Sequence, residues 1–405
     1  MRTLDSLGDI KGKRVLVRVD FNVPVGDGKV RDDARMRRAL PTLEDLRERG
    51  AKLLLVSHFG RPKGNEPEFS LAPVAERTSK LLNIEVLLAE DLDDIPDGDV
   101  VMLENIRFQP GESKNDPEFA QRLAGLADYY VNDAFGTSHR AHASTEGVVS
   151  LVEHSAAGLL FQSEVDTIQM IMNEPKRPFL AIMGGAKVTE KIGVIERFLE
   201  LADTILIGGA MTTPFLRALG HSTGDSLCEE EGIEPARKAL EQDGYPDGKL
   251  TLPEDLVISD RLGDDAEVKI LDGGEVPDGW MQLDIGSRAR TRYVAEIRKA
   301  ETIFWNGPIG AYEHKSFAAG SLAIAQALAA HPGTTVVGGG DSGAAMREFG
   351  LADSVTHLST GGGASLRLIE GAPLPGLDAR AACRIDHRLQ RGERHADCDV
   401  DAVDG

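Results

Sequence analysis

The stretch FLAIMGGAKVTEKIG, residues 179–193, places five apolar residues in an unbroken run, then two glycines, then a spacing that reads as a helix. A strand with one wet face alternates apolar and polar residues. An unbroken run belongs to a sheet covered on both faces, and such sheets are built from parallel strands joined by helices. The glycines let the backbone turn tightly out of the strand, and the N–H groups at a helix start have no partners of their own. Lys187 and Lys191 stand four apart at this predicted start, where the dipole disfavours cations. Amides and ammonium groups gathered at one point predict a bound anion.

The same pattern extends in both directions. KRVLVRVDFNV (13–23), KLLLVSH (52–58), IEVLLA (84–89), DVVMLEN (99–105) and YYVNDAF (129–135) read as buried strands, with a helix over DPEFAQRLAGLA (116–127). After a helix at SEVDTIQMIMNEP (163–175) the series restarts. FLAIMGG (179–185), DTILIGG (203–209), DLVISD (255–260), ETIFWNG (301–307) and TTVVGGG (334–340) each lead toward a helix. The predicted fold class is α/β, with two doubly wound parallel-sheet (Rossmann-like) domains joined by a hinge helix. The expected divisions are 1–162, a linker helix at 163–176, 177–362, a closing segment at 363–377 and a charged, non-periodic, mobile tail at 378–405.

A chain of 405 residues suits two domains, and 41% hydrophobic residues can fill their cores. Cys228, Cys383 and Cys398 are too few and scattered for a disulfide framework. No apolar run reaches membrane-spanning length, and the N-terminus has neither signal nor transit character, so a cytoplasmic, soluble protein is expected. The net charge of −21 disfavours nucleic acid and anionic membranes as partners. Residues 1–150 carry 21 Lys+Arg against 26 Asp+Glu, and the remainder 24 against 40. Arginine outnumbers lysine 30 to 15. An acidic shell poor in lysine points to a salt-adapted host, with a merely acidic surface as the alternative.

Ligands of open α/β sheets bind beyond the carboxyl ends of the strands. In the first half those ends carry Asp20 and Asn22, His58 and Arg61, Arg107, and His139, Arg140 and His142, and Arg35 faces the same side if its helix starts near Arg31. Read singly, each arginine is a surface ion pair, Asp20 a helix cap, and His139 with His142 a metal pair lacking a third ligand. Four arginines converging at successive strand ends instead require a compact, multiply charged anion, which guanidinium forks bind bidentately. In the second half, MGGAK, VGGGDSG (337–343) and STGGGASL (359–366) are glycine-rich helix starts suited to phosphate. Gly338, Gly340 and Gly343 formally match G-x-G-x-x-G, and no P-loop motif is present. Asp341 reads either as a Mg²⁺ carboxylate or as a helix cap. The combination predicts phosphoryl transfer between a nucleoside triphosphate and an anionic acceptor. A nucleotide-dependent dehydrogenase and an inactive binding protein are the competing classes.

RVDFNVP, SHFGRP, LENIRF, DAFGTSHRAH, GGAKVTEKI, WNGPIGAYE, GGGDS and STGGGASL occur in the order and approximate spacing of the phosphoglycerate kinases, which the chain resembles over about residues 5–377. The resemblance implies a two-domain monomer that interconverts 1,3-bisphosphoglycerate plus ADP with 3-phosphoglycerate plus ATP, using Mg²⁺ and hinge closure. It assigns the glycerate substrate to Asp20, Asn22, Arg35, His58, Arg61, Arg107 and Arg140, with Arg35 also catalytic. Lys187 would follow the moving phosphoryl group and Lys191 would hold nucleotide phosphates near Gly184. Glu313 would bind ribose. Gly339, Gly340, Asp341 and Ser342 would form the phosphate loop, with Asp341 as metal ligand. Gly361, Gly362 and Gly363 would donate amides to the phosphoryl in transit, and the chain end would return across the hinge. Gln282 and Ser287 replace a glycine and a proline of the pattern WMGLD-x-GP, and Ala210 and Thr212 also depart from it, which leaves the base preference open. In the tail, Cys383, His387, His395 and Cys398 have the spacing of a zinc site or belong to a plain salt-adapted extension.

Overall fold

A computed structural model describes residues 2–379 and divides them into two compact units. One runs to Ser163 and takes up the chain again from Pro373; the other is Glu164–Ala372. The tail residues Cys383, His387, His395 and Cys398 lie outside the described residues. Among the described residues no helix is long and apolar enough to cross a membrane.

In the first unit β1 (Arg14–Arg18) is followed by a small hairpin of β2 (Val25–Gly26) and β3 (Lys29–Val30). Then come β4 (Lys52–Val56), β5 (Leu87–Ala89), β6 (Val100–Leu103), β7 (Tyr129–Asn132) and β8 (His154–Ala157). The sheet order is β5-β6-β4-β1-β7-β8, all parallel. Val15 and Val17 enter one core cluster and Leu16 the other, so β1 is buried on both faces, as its unbroken apolar run requires. Ligand-facing residues therefore collect at the carboxyl ends.

The second unit repeats the plan with β9 (Phe179–Met183), β10 (Thr204–Ile207), β11 (Leu250–Thr251), β12 (Asp255–Ser259), β13 (Val268–Asp272), β14 (Met281–Ile285), β15 (Thr302–Asn306), β16 (Thr334–Gly338) and β17 (His357–Leu358). Six of these make the sheet β11-β10-β9-β15-β16-β17, whose strand pairs are parallel. The stretch 255–260 departs from the expectation. Its strand β12 lies in a separate antiparallel sheet, β13-β12-β14, and leads to a hairpin rather than a helix.

Three helix boundaries also differ. The helix after β9 begins at Ile192, so Lys187 and Lys191 do not share a helical face: Lys187 lies in a loop, and Lys191 is the residue before the helix Ile192–Leu201. Glu229 holds that loop open by accepting hydrogen bonds from Thr189 N (2.9 Å) and Thr189 Oγ1. The first helix starts at Ala34 rather than near Arg31, because the hairpin occupies the residues before it. The long helix between the two series is Leu159–Asn173.

Candidate active site

In the first unit the strand ends are tied to one another before any ligand is considered. Asn22, after β1, accepts from Gly60 N (3.0 Å), and Asn105, after β6, accepts from Phe59 N (3.0 Å) and donates to Phe59 O (2.7 Å). Arg107 donates to Gly60 O. The loop from His58 to Arg61 is thus pinned from both neighbouring strands. Arg35 reaches back from its helix, donating through Nη1 to Asp20 Oδ2 (3.3 Å) and Asn22 O (3.1 Å). Its Nε and Nη2 have no acceptor among the described residues.

The electrostatics are those of a cation cluster. Burial pushes Arg107 down to about 10, and the charges of Arg140, Arg18 and Arg61 add to the effect. Burial also drives His58 well below its ordinary value, helped by Arg18, Arg107, Arg140 and Arg35. His58 is therefore neutral near pH 7. Arg18 Nη2 lies 3.2 Å from His58 Nδ1, and a guanidinium only donates. The ring proton must then sit on Nε2. Arg61 is exposed and adds charge at the rim, and Arg140 Nε donates to His139 Nε2 (3.1 Å).

Beneath this cleft lies a network that the sequence reading missed. Arg18, 1% exposed, donates through Nε to Ser144 Oγ (2.9 Å), and Ser144 donates its hydroxyl (2.7 Å) and its amide (2.9 Å) to Glu112, which is 0% exposed. Burial alone would raise Glu112, but bonds from His142 and Ser144 with the Arg18 charge outweigh it and hold the carboxylate ionised. His142 stands 3.6 Å from Glu112, and among the described residues no three metal-ligating side chains gather, so the histidine pair is not a metal site there.

In the second unit the strand ends meet backbone to backbone. A Cβ at Gly184 would lie 2.3 Å from Pro308 O, and one at Gly307, whose φ is +91°, would lie 2.2 Å from Gly184 O and 2.6 Å from Lys191 Nζ. Lys191 donates to Gly184 O (2.7 Å). Burial lowers its pKa to about 8, against the pull of Asp341 and Glu190. Lys187 points outward to Glu190 (2.5 Å), which raises its pKa.

Two helix starts converge nearby. Gly339 has φ +97° and precedes the helix Gly340–Glu348, and a Cβ at Gly362, the first residue of the helix Gly362–Ile369, would stand 2.6 Å from Gly339 Cα. Ser342 Oγ accepts from Gly307 N (2.6 Å), tying the loop to β15. Gly361 N already bonds Ser359 Oγ (3.1 Å), so the amides left for an anion are those of Gly362 and Gly363. Gly339 holds the N-cap position and Asp341 is the second residue of the helix, so Asp341 is not its cap. Tyr312 is raised by burial and then by the charges of Glu313, Asp341 and Glu348. Asn306 is a further missed residue: it is buried at the end of β15, with Nδ2 unpaired and 2.9 Å from where a Gly339 Cβ would lie. Its only signal was the polar residue closing the apolar run TIFWN.

A family model described as phosphoglycerate kinase matches residues 4–372. The cytosolic phosphoglycerate kinase of Triticum aestivum is 49% identical over 391 residues, 93% of this chain and 98% of that protein. That of Nostoc punctiforme is 50% identical over 388 residues, covering 92% and 97%. Among solved structures, phosphoglycerate kinase from Coxiella burnetii matches with a TM-score of 0.85 and 39% identity over 94% of this chain and 98% of that one. The phosphoglycerate kinase from Pyrococcus horikoshii matches at 0.83 and 30%, covering 95% and 100%. The chain belongs to the phosphoglycerate kinase family, phosphotransferases that interconvert 1,3-bisphosphoglycerate plus ADP with 3-phosphoglycerate plus ATP.

Proposed function

We propose that this chain carries out that reaction with the glycerate substrate held by Asp20, Asn22, Arg35, His58, Arg61, Arg107 and Arg140. The nucleotide is held by Gly184, Lys187, Lys191, Glu313 and Gly339–Ser342. The observation that carries the reading is the cation cluster of the first unit, whose arginines press on Arg107 and His58 and leave Arg35 with an unused fork edge. Like charges so arranged call for a multiply charged anion. His58 supplies an N–H donor without adding a further charge.

In the ATP-forming direction a terminal phosphate oxygen of ADP attacks the acyl phosphate phosphorus. The P–O bond to the carboxyl group breaks, and 3-phosphoglycerate leaves as a carboxylate. No proton moves, so no general base is needed, and catalysis reduces to alignment and charge screening. Arg35, the amides of Gly362 and Gly363, and Lys187 once it swings away from Glu190 supply that screening. Mg²⁺ fits the donor set: Asp341 is an exposed carboxylate in the first turn of its helix, and such sites commonly hold the metal by one or two carboxylates plus substrate phosphates. When bound, the ion neutralises phosphate charge.

ATP formation from ADP and 1,3-bisphosphoglycerate in Mg²⁺ tests the reading, and a folded protein without turnover at any salt concentration would end it. Lys187→Ala is expected to cut kcat by about a hundredfold with a much smaller change in the KM for ADP. Unaltered turnover would remove Lys187 from its role. The kcat/KM for ADP should also fall as pH rises through about 8, where Lys191 loses its proton in the free enzyme. Lys191→Met should abolish that limb, and a limb that persists in the variant assigns it to another group.

A monomeric, cytoplasmic enzyme is part of the proposal. Its location is supported by relatives named as cytosolic, although one from Arabidopsis thaliana is chloroplastic. The plant, cyanobacterial and clostridial relatives lend no support to a salt-adapted origin, which rests on the charge of −21 and the scarcity of lysine. Activity rising steeply with molar salt would favour it, and loss of activity there would refute it.

A further inference from the structure

The sheet order of the second unit separates the two ends of a bound nucleotide. The loop Gly339–Ser342 follows β16, and Lys191 sits against Gly184 at the end of β9, two strands away across β15. At about 4.8 Å per strand, phosphates spread over this span occupy roughly 10 Å of the sheet edge. On the β17 side the glycine-rich helix start takes up the space. The base is left the end of β10, next outward from β9.

At that end the chain turns at Gly209, whose φ is +65° and whose Cβ would lie 2.9 Å from Gly185 N. Gln282, on β14, reaches this turn: its Nε2 donates to Gly209 O at 3.1 Å, and its backbone N is held by Ser226 Oγ at 2.9 Å. Gln282 is 5% exposed, yet its Oε1 has no partner. Thr212 and Thr213, which open the helix Thr212–Ala218 immediately after the turn, are buried with unpaired hydroxyls as well. Three unsatisfied side-chain atoms around one turn are unusual where most buried polar groups are paired, and they mark a place built for a polar ligand edge. Ser287 does not belong to this group. It opens the helix Ser287–Lys299, where Asp255 accepts from Arg288 N and Ala289 N.

We propose that Gln282 is the residue that reads the nucleobase, its Oε1 accepting a hydrogen from the 6-amino group of adenine. The inference rests on the nucleotide occupying the second unit as described above. The bond to Gly209 O fixes the amide: a flipped amide would set two oxygens against each other, so the unpaired atom is an acceptor only. A 6-oxo purine would put its own acceptor there.

The experiment compares ADP with IDP as phosphoryl acceptor in wild type, Gln282→Leu and Gln282→Gly, with thermal melting to establish folding. Wild type should favour ADP by about tenfold in kcat/KM, the worth of one hydrogen bond to a buried acceptor. Both variants should bring the ratio close to one without changing the KM for 1,3-bisphosphoglycerate. Equal use of ADP and IDP by wild type, or a preference surviving both substitutions, overturns the proposal. Calorimetric affinities for ADP and IDP give the same comparison without turnover. A wild type that binds ADP over IDP yet transfers nothing would leave base reading standing while the kinase reading fails.

Discussion

Arg35→Ala is expected to lower kcat by about 10²- to 10³-fold while the KM for 3-phosphoglycerate rises by less than tenfold. The side chain is 39% exposed and held by a single Nη1, so its removal leaves the core untouched, and a folded variant is expected. Asp20 keeps His58 at 3.8 Å and bonds Asn22 N at 3.4 Å, so the strand end does not collapse. Ground-state binding survives because His58, Arg107 and Arg140 still present donors and charge. What disappears is the unused edge of the guanidinium, the part able to follow charge as it builds on the transferring group. Arg35→Lys should recover only part of the loss, since an ammonium keeps the charge and loses the planar fork. A variant with kcat intact and KM raised would make Arg35 a substrate anchor and nothing more.

The strand series and the ligand-facing strand ends were legible because unbroken apolar runs admit few other structures. Val15, Leu16 and Val17 go to both core clusters, as their lack of alternation demands. The strand DLVISD read like the others, because five residues do not state a direction; its antiparallel neighbours VKILD and MQLDI are interrupted by polar residues and show no unbroken apolar run. The lysine loop read as a helix because AKVTEK has helical spacing. Glu229, some 40 residues on, overrides that propensity by taking Thr189's donors. Arg18 had a local signal, a charge inside the strand RVLVR, but Glu112 had none, since its partner Ser144 lies 32 residues away. Contacts of long sequence separation are where sequence reading stops and packing takes over.

That buried network carries the other large expectation. Glu112→Ala should destabilise the first unit by about 3–5 kcal/mol, because it removes the carboxylate that Ser144 links to the buried Arg18 guanidinium and strips Ser144 of its acceptor. The effect should be local to that unit, and the chain offers a means of seeing this. Its two tryptophans, Trp280 and Trp305, both belong to the second unit, so their fluorescence follows that unit alone. Calorimetry should show a transition moved down by on the order of 10 °C, while the tryptophan midpoint moves much less. Equal shifts in both would mean that the two units unfold as one. Removing both charges separates pairing from packing. Glu112→Leu with Arg18→Met should restore most of the lost stability, since opposite charges buried together are often replaced by apolar groups at little cost. Substrate affinity should not return with it: Arg18 Nη2 is the donor that leaves the His58 proton on Nε2, and without it the ring is free to present the wrong nitrogen to the cleft. Recovery of affinity together with stability would reduce the network to a structural support, with no part in orienting His58.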